Sequence, residues 1–157
     1  MQRSGLSIAL SFCGAVAIAS PSLADTLTIM DSQGDKIAVY DRAALDAMEP
    51  ASIETNTPWT DGVDRYDGVS LRHLLETAGA KGDAYTAIAL NDYAVSISDQ
   101  VIAEHNPIVA TRMNGERLTL DNRGPYWVMF NFDSPAVQAV PEMHGLSIWA
   151  LSEIEVE

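Results

Sequence analysis

The chain has 157 residues, 47% of them hydrophobic and 20% charged, with 22 acidic against nine basic side chains and a formal net charge of −13. That charge excludes nucleic acid and anionic membrane surfaces as electrostatic partners. A single cysteine, Cys13, excludes an internal disulfide and any site built from several thiolates.

Residues 1–24 read as an export signal, to be removed from the mature protein. Arg3 precedes an apolar run from Leu6 to Ala19, and Ser22-Leu23-Ala24 places small residues where a signal peptidase cuts. The apolar run is shorter than the roughly 20 residues that span a bilayer. Phe12 stands before Cys13, where a lipoprotein signal needs a small residue. The mature chain is therefore expected to start near Asp25, to be periplasmic or secreted, and to have no membrane span. It would keep eight basic and all 22 acidic residues, a net charge of −14 with neutral histidines, and no thiol. Residues 25–157 are long enough for one domain with its own core.

Thr26–Met30 alternates, Ser32–Asp35 supplies turn residues and Lys36–Tyr40 alternates again, which predicts an opening hairpin. Asp41 is placed to cap a short helix over Arg42–Met48, and Pro50 halts it. Ser52–Thr57 predicts a strand. Pro58–Asp67, polar and aromatic with Gly62 and Gly68 as breakers, predicts a long loop. Ser70 caps the clearest helix: Leu71, Leu74, Leu75 and Ala78 share one face, and Gly79 ends it. Tyr85–Leu90 and Tyr93–Ile97 flank Asn91-Asp92 as a tight hairpin. Ser98 caps a further helix over Asp99–His105. Ile108–Met113 and Glu116–Leu120 flank Asn114-Gly115, the strongest hairpin signal in the chain. Arg123-Gly124-Pro125 is a turn, and Tyr126–Phe130 is apolar enough to be a buried strand. Pro135–Val140 predicts a helical turn and Ile148–Val156 a closing strand. Strands outnumber helices and pair mostly as hairpins. The fold class is α+β, with mixed β-sheets and short peripheral helices.

Familiar catalytic signatures are missing. The chain has no G-x-S-x-G, no H-E-x-x-H and no Gly-rich phosphate loop. His73, His105 and His144 are scattered, and Glu142-x-His144, taken as one strand face, is a bare pair. Asp61, Asp64, Arg65 and Asp67 read as a solvated loop lacking the alternating oxygen pattern of a calcium site. A hydrolase using Ser96 or Ser98 with Asp99 and a distant histidine has no spacing in its favour.

Four segments in succession resemble the oxidoreductase molybdopterin-binding domain, the sulfite-oxidase-like fold. Tyr66-Asp67-Gly68-Val69-Ser70-Leu71, followed by Leu74-Leu75 and Ala78-Gly79, is similar to that family's turn into its helix. Ala87–Ile97, with its Asp92-Tyr93 turn, is similar to the two strands that follow. Ile108–Leu118, with Asn114-Gly115-Glu116 at the tip, is similar to the next hairpin, and Gly124–Phe130 to a Gly-Pro turn before a buried strand. Trp149 and Ile154-Glu155-Val156 fit the close of the domain.

The resemblance implies a molybdenum held by a pterin dithiolene and by one protein cysteine, because a thiolate is a soft anionic ligand. The family's cysteine would fall around Asn56-Thr57-Pro58-Trp59, and none is there. The pterin phosphate also needs cationic or backbone donors. Arg65, Arg72, Arg112, Arg117 and Arg123 lie near the matching segments, in a chain that is otherwise strongly acidic. The expectation is a domain that keeps the scaffold without cofactor and binds a small anionic molecule or a periplasmic protein partner. Its cleft would be lined by Asn56, Thr57, Trp59, Tyr93, Arg112, Arg123 and Tyr126, the aromatics supplying flat surfaces and the arginines gripping a carboxylate. The alternative is a molybdopterin-dependent oxidoreductase of a small oxyanion or sulfoxide, with a metal ligand other than cysteine.

Overall fold

The computed structural model describes residues 25–157, so the export signal expected over residues 1–24 lies outside the described residues. Among the described residues ten strands form two sheets, the first mixed and the second antiparallel throughout. The first has the order β2-β1-β10-β5-β6, with β1 Thr26–Met30, β2 Lys36–Asp41, β5 Ala84–Ala89, β6 Ala94–Ser98 and β10 Leu151–Val156. Its pairs are antiparallel except β1 with β10, which run parallel with Thr28 opposite Glu153. The second has the order β3-β4-β7-β8, with β3 Pro50–Asn56, β4 Val63–Ser70, β7 Ile108–Met113 and β8 Glu116–Arg117; β9, Trp127–Met129, pairs with β7.

The hairpins close where turn chemistry demands. In the β1–β2 turn the Asp31 carboxylate accepts from the backbone N–H groups of Gln33 and Asp35. The Asn114-Gly115 turn between β7 and β8 places both residues at positive φ, as a two-residue hairpin turn requires.

Among the described residues five short helices lie outside these sheets: α1 Arg42–Asp46, α2 Leu71–Ala78, α3 Asp99–His105, α4 Pro135–Gln138 and α5 Met143–Leu146. The first three begin at capped ends. Asp41 Oδ1 accepts from Ala44 N at 2.8 Å, Ser70 Oγ from His73 N at 3.3 Å, and Ser98 Oγ from Val101 N at 3.2 Å. Gly79 ends α2 in the left-handed conformation at φ +75°, which costs glycine no steric clash. Among the described residues no helix is long and apolar enough to cross a membrane.

One buried cluster joins the two sheets, with Leu27, Ile29, Ala87 and Ile154 from the first and Tyr66, Val69, Val109 and Trp127 from the second. Strand β9 is wholly buried, which explains its unbroken apolar sequence.

The long loop expected over Pro58–Asp67 is shorter than the sequence suggested. Only 57–62 lies between strands, and Val63–Ser70 is β4, an interior strand hydrogen-bonded to both β3 and β7. The misreading has a physical source. Asp64 occupies an inward position where alternation leads one to expect an apolar residue, and the Asn114 amide satisfies it by donating to Asp64 Oδ1 at 2.6 Å. Gly68, read as a breaker, is needed within the strand. A Cβ there would stand 2.0 Å from the Val109 carbonyl oxygen, beside the register shift between β4 and β7.

Candidate ligand cleft

The segment joining β3 to β4 presents Trp59. Thr57 Oγ1 lies 2.8 Å from Thr60 Oγ1 and accepts from Trp59 N at 3.2 Å, which folds 57–60 into a tight turn. The Trp59 carbonyl accepts from Arg123 Nη2 at 2.9 Å. Arg123 follows a single 3₁₀ turn over Leu120–Asn122 and itself adopts φ +70°. Its guanidinium sits 5.6 Å above the ring centroid of Trp127.

Trp59 is the centre of an aromatic bank. Its ring centroid lies 5.8 Å from Trp127, 5.7 Å from Phe132 and 5.6 Å from Trp149, all in tilted or edge-to-face arrangements. Trp127 is anchored from below: Nε1 donates to Ser147 Oγ at 3.0 Å, and Ser147 Oγ donates to the Val128 carbonyl. His144, on α5, stacks flat on Phe132 with centroids 4.5 Å apart. The β5–β6 turn brings Asn91 and Tyr93 to the same site; there Asn91 Oδ1 accepts from Tyr93 N and Asp92 takes φ +64°. Between these walls opens a cleft of about 540 Å³, lined by Pro58, Trp59, Asn91, Tyr93, His144 and Trp149 among others. That size suits a small organic ligand.

The seven residues expected to line one cleft are dispersed. Trp59 and Tyr93 do meet in it. Asn56 and Thr57 are not among its lining residues: the backbone N–H and side-chain amide of Asn56 both donate to the Asp133 carboxylate, and the Thr57 hydroxyl is engaged inside its own turn. Arg123 borders a neighbouring groove that shares Trp149 and Asn91 with the cleft. Arg112 belongs to a different cleft of about 270 Å³, beside Asp46 and Gly68. There its guanidinium holds Asp46 with two parallel bonds of 2.8 and 2.9 Å. That pair keeps the Asp46 carboxyl below its ordinary value of 3.8, chiefly through the hydrogen bond from Arg112. Tyr126 is completely buried. Its hydroxyl donates to the Asp25 carbonyl, Arg42 covers its ring at 5.3 Å, and burial pushes its pKa up to about 12. The unbroken apolar run Tyr126–Phe130 predicts that burial, and a fully buried ring cannot line an open cleft.

His144, Trp149 and Asn91 complete the cleft and were not anticipated as its lining. The Glu142-x-His144 pair is no strand face, because Glu142 is the N-cap of α5 and His144 lies within that helix. The usable signal was the aromatic content of the closing segment, where Trp149 follows His144 by five residues.

The donor set does not fit a pterin-held molybdenum. Residues 25–157 contain no cysteine, and in the segment 56–59, where the resemblance puts the family's cysteine, the Thr57 hydroxyl is bonded to Thr60. The buried Tyr66 hydroxyl lies near enough for the Thr57 and Thr60 dipoles to favour its ionised form, yet outside hydrogen-bonding geometry, and desolvation dominates and raises its pKa. The arginines that would meet a phosphate are mostly committed: Arg65 to Asp67 and Glu54, Arg72 to Asp99, Arg112 to Asp46 and Arg123 to the Trp59 carbonyl. Arg117 stands on β8 opposite Arg112. Among the described residues no group of three or more histidine, cysteine or acidic side chains is placed to hold a metal ion.

Two five-stranded sheets, one mixed and one antiparallel, with short helices around them define an α+β protein of the sulfite-oxidase-like fold class. Within that class the chain belongs to the oxidoreductase molybdopterin binding domain family, whose pattern matches residues 41–131. Among solved structures it is similar to the sulfane dehydrogenase SoxCD from Paracoccus pantotrophus, at 18% identity and a TM-score of 0.62. The match covers 87% of this chain and 39% of that one, so the likeness concerns the fold of one part of a longer protein. No curated protein matches in sequence.

Proposed function

We propose that this chain is an exported, cofactor-free member of its family that acts as a small-ligand-binding or partner module. One observation carries the reading. Where the family's metal thiolate would stand, a threonine hydroxyl closes a turn, and that turn raises Trp59 into an open aromatic cleft. The export signal read in residues 1–24 supports a periplasmic or secreted location. Exposed Leu90, Tyr93, Leu120 and Trp149 around the cleft and its neighbouring groove support contact with a ligand or protein. The small-anion grip expected of Arg112 and Arg123 loses support, since the first is neutralised by Asp46 in another cleft and the second turns to a carbonyl and an indole.

A thermal-shift screen of small organic compounds against residues 25–157 tests the module. Compounds that raise the melting temperature of the parent protein should lose that effect in Trp59→Ala and Tyr93→Ala and keep it in Arg112→Ala. A screen without any stabilising compound, joined to unchanged partner capture by the two aromatic variants, contradicts the reading. Family membership favours a second reading, a molybdopterin-dependent oxidoreductase of a small oxyanion or sulfoxide with a non-cysteine metal ligand. Metal analysis separates the two.

A further inference from the structure

We propose that the aromatic cleft selects a quaternary ammonium group, the headgroup of a small methylated organic cation. The inference rests on the preceding reading of the cleft as a binding site and names the chemistry it takes. Trp59 and Trp149 meet at 68°, so their rings form a corner, and Tyr93 lines the same cleft. Trp149 is 40% and Tyr93 54% exposed, large π-surfaces turned to solvent in a protein that buries most of its other aromatics. A cation over the face of an indole or phenol is attracted by the ring quadrupole. The molecule already uses this attraction on the adjoining ring, where Arg123 lies over Trp127.

Charge selects the sign of the ligand. Among the described residues no lysine or arginine lines the cleft, and residues 25–157 carry 22 acidic against eight basic side chains. Such a field concentrates cations and repels anions. The lining also selects the kind of cation. Among the described residues no aspartate or glutamate lines the cleft, so the N–H groups of a primary ammonium or guanidinium would be desolvated there without a carboxylate partner. A trimethylammonium has no N–H to satisfy. Its methyl groups gain from burial against Pro58, Trp59 and Trp149, and its charge is spread over a surface that matches aromatic faces.

The test compares choline with its uncharged carbon isostere, in which a tert-butyl group replaces the trimethylammonium. Both are titrated into residues 25–157 at low salt by calorimetry or chemical-shift mapping. Choline should bind roughly tenfold more tightly than the isostere. Trp149→Ala and Tyr93→Ala should each weaken choline several-fold without equal loss for the isostere, while Trp149→Phe, which keeps a ring, should restore part of it. Circular dichroism confirms that each variant is folded. Equal affinity for the two probes, or no binding of choline at any concentration reached, overturns the inference. If neutral compounds still stabilise the protein through Trp59 and Tyr93, the cleft stands and only its preference for a cation falls. If no compound of any charge does so and the aromatic variants leave partner capture unchanged, both readings fall.

Discussion

The cleft beside Asp46 and the cleft beside Trp59 are built from opposite materials and share no lining residue. In the first, Arg112 and Asp46 meet in a bidentate pair over a β4 glycine, and the strongest charges present are already matched to each other. In the second, no lysine, arginine, aspartate or glutamate among the described residues lines the walls, and the rings of Trp59, Tyr93 and Trp149 remain partly in water. An ion pair formed within the protein lowers what a site can offer an anion. Exposed indole and phenol faces retain their capacity until something covers them. The contrast teaches that arginines near a family's motifs are poor guides to a binding site unless their partners are known.

The largest effect should come from the floor of the aromatic cleft. Trp127 is fully buried, contacts the rings of Trp59, Tyr66 and Trp149, and donates to Ser147. Trp127→Ala should destabilise the fold by about 3–5 kcal/mol, measured by urea denaturation. A loss below about 1 kcal/mol would mean that this bank is not part of the core. At the floor of the charged cleft, Gly68→Ala should cost about 3 kcal/mol, because its methyl would meet the Val109 carbonyl and β7 must shift to admit it.

Smaller effects sharpen the contrast between the two sites. Arg112→Ala should cost about 0.5–1 kcal/mol, since both partners are partly exposed, and should leave ligand binding at Trp59 untouched. The Asp46 carboxyl is held below its ordinary value in the folded state by Arg112. Its stabilisation is therefore complete above about pH 3.8 and fades as the pH falls through the lower folded value. The stability difference between the parent and Arg112→Ala should shrink over that acid range and stay flat near neutrality. Tyr93→Ala should change stability by about 0.5 kcal/mol or less, yet reduce ligand binding at the aromatic cleft. A variant that does neither would detach Tyr93 from the site.

Much of the scaffold was legible because local signals agreed with the final packing. Asp41, Ser70 and Ser98 cap the helices they preceded in sequence, and Asn91-Asp92 and Asn114-Gly115 turn the hairpins they predicted. Strand β4 escaped because Asp64 and Gly68 look like loop residues, and only the cross-strand neighbours Asn114 and Val109 reveal why they sit in a sheet. The site was less legible than the fold. Trp59 and Tyr93 stood out as aromatics flanking turns, whereas Trp149 and His144 reach the cleft through long-range folding that no local spacing encodes. Arg112 misled for the same reason, since Asp46 lies 66 residues away in sequence.

Molybdenum and pterin content, measured on protein isolated from its native source, tests the central claim most directly. The account predicts metal far below one atom per chain and no pterin fluorescence after denaturation. One molybdenum per chain, released together with a pterin, would contradict it and give Thr57 or a neighbour the role of metal ligand.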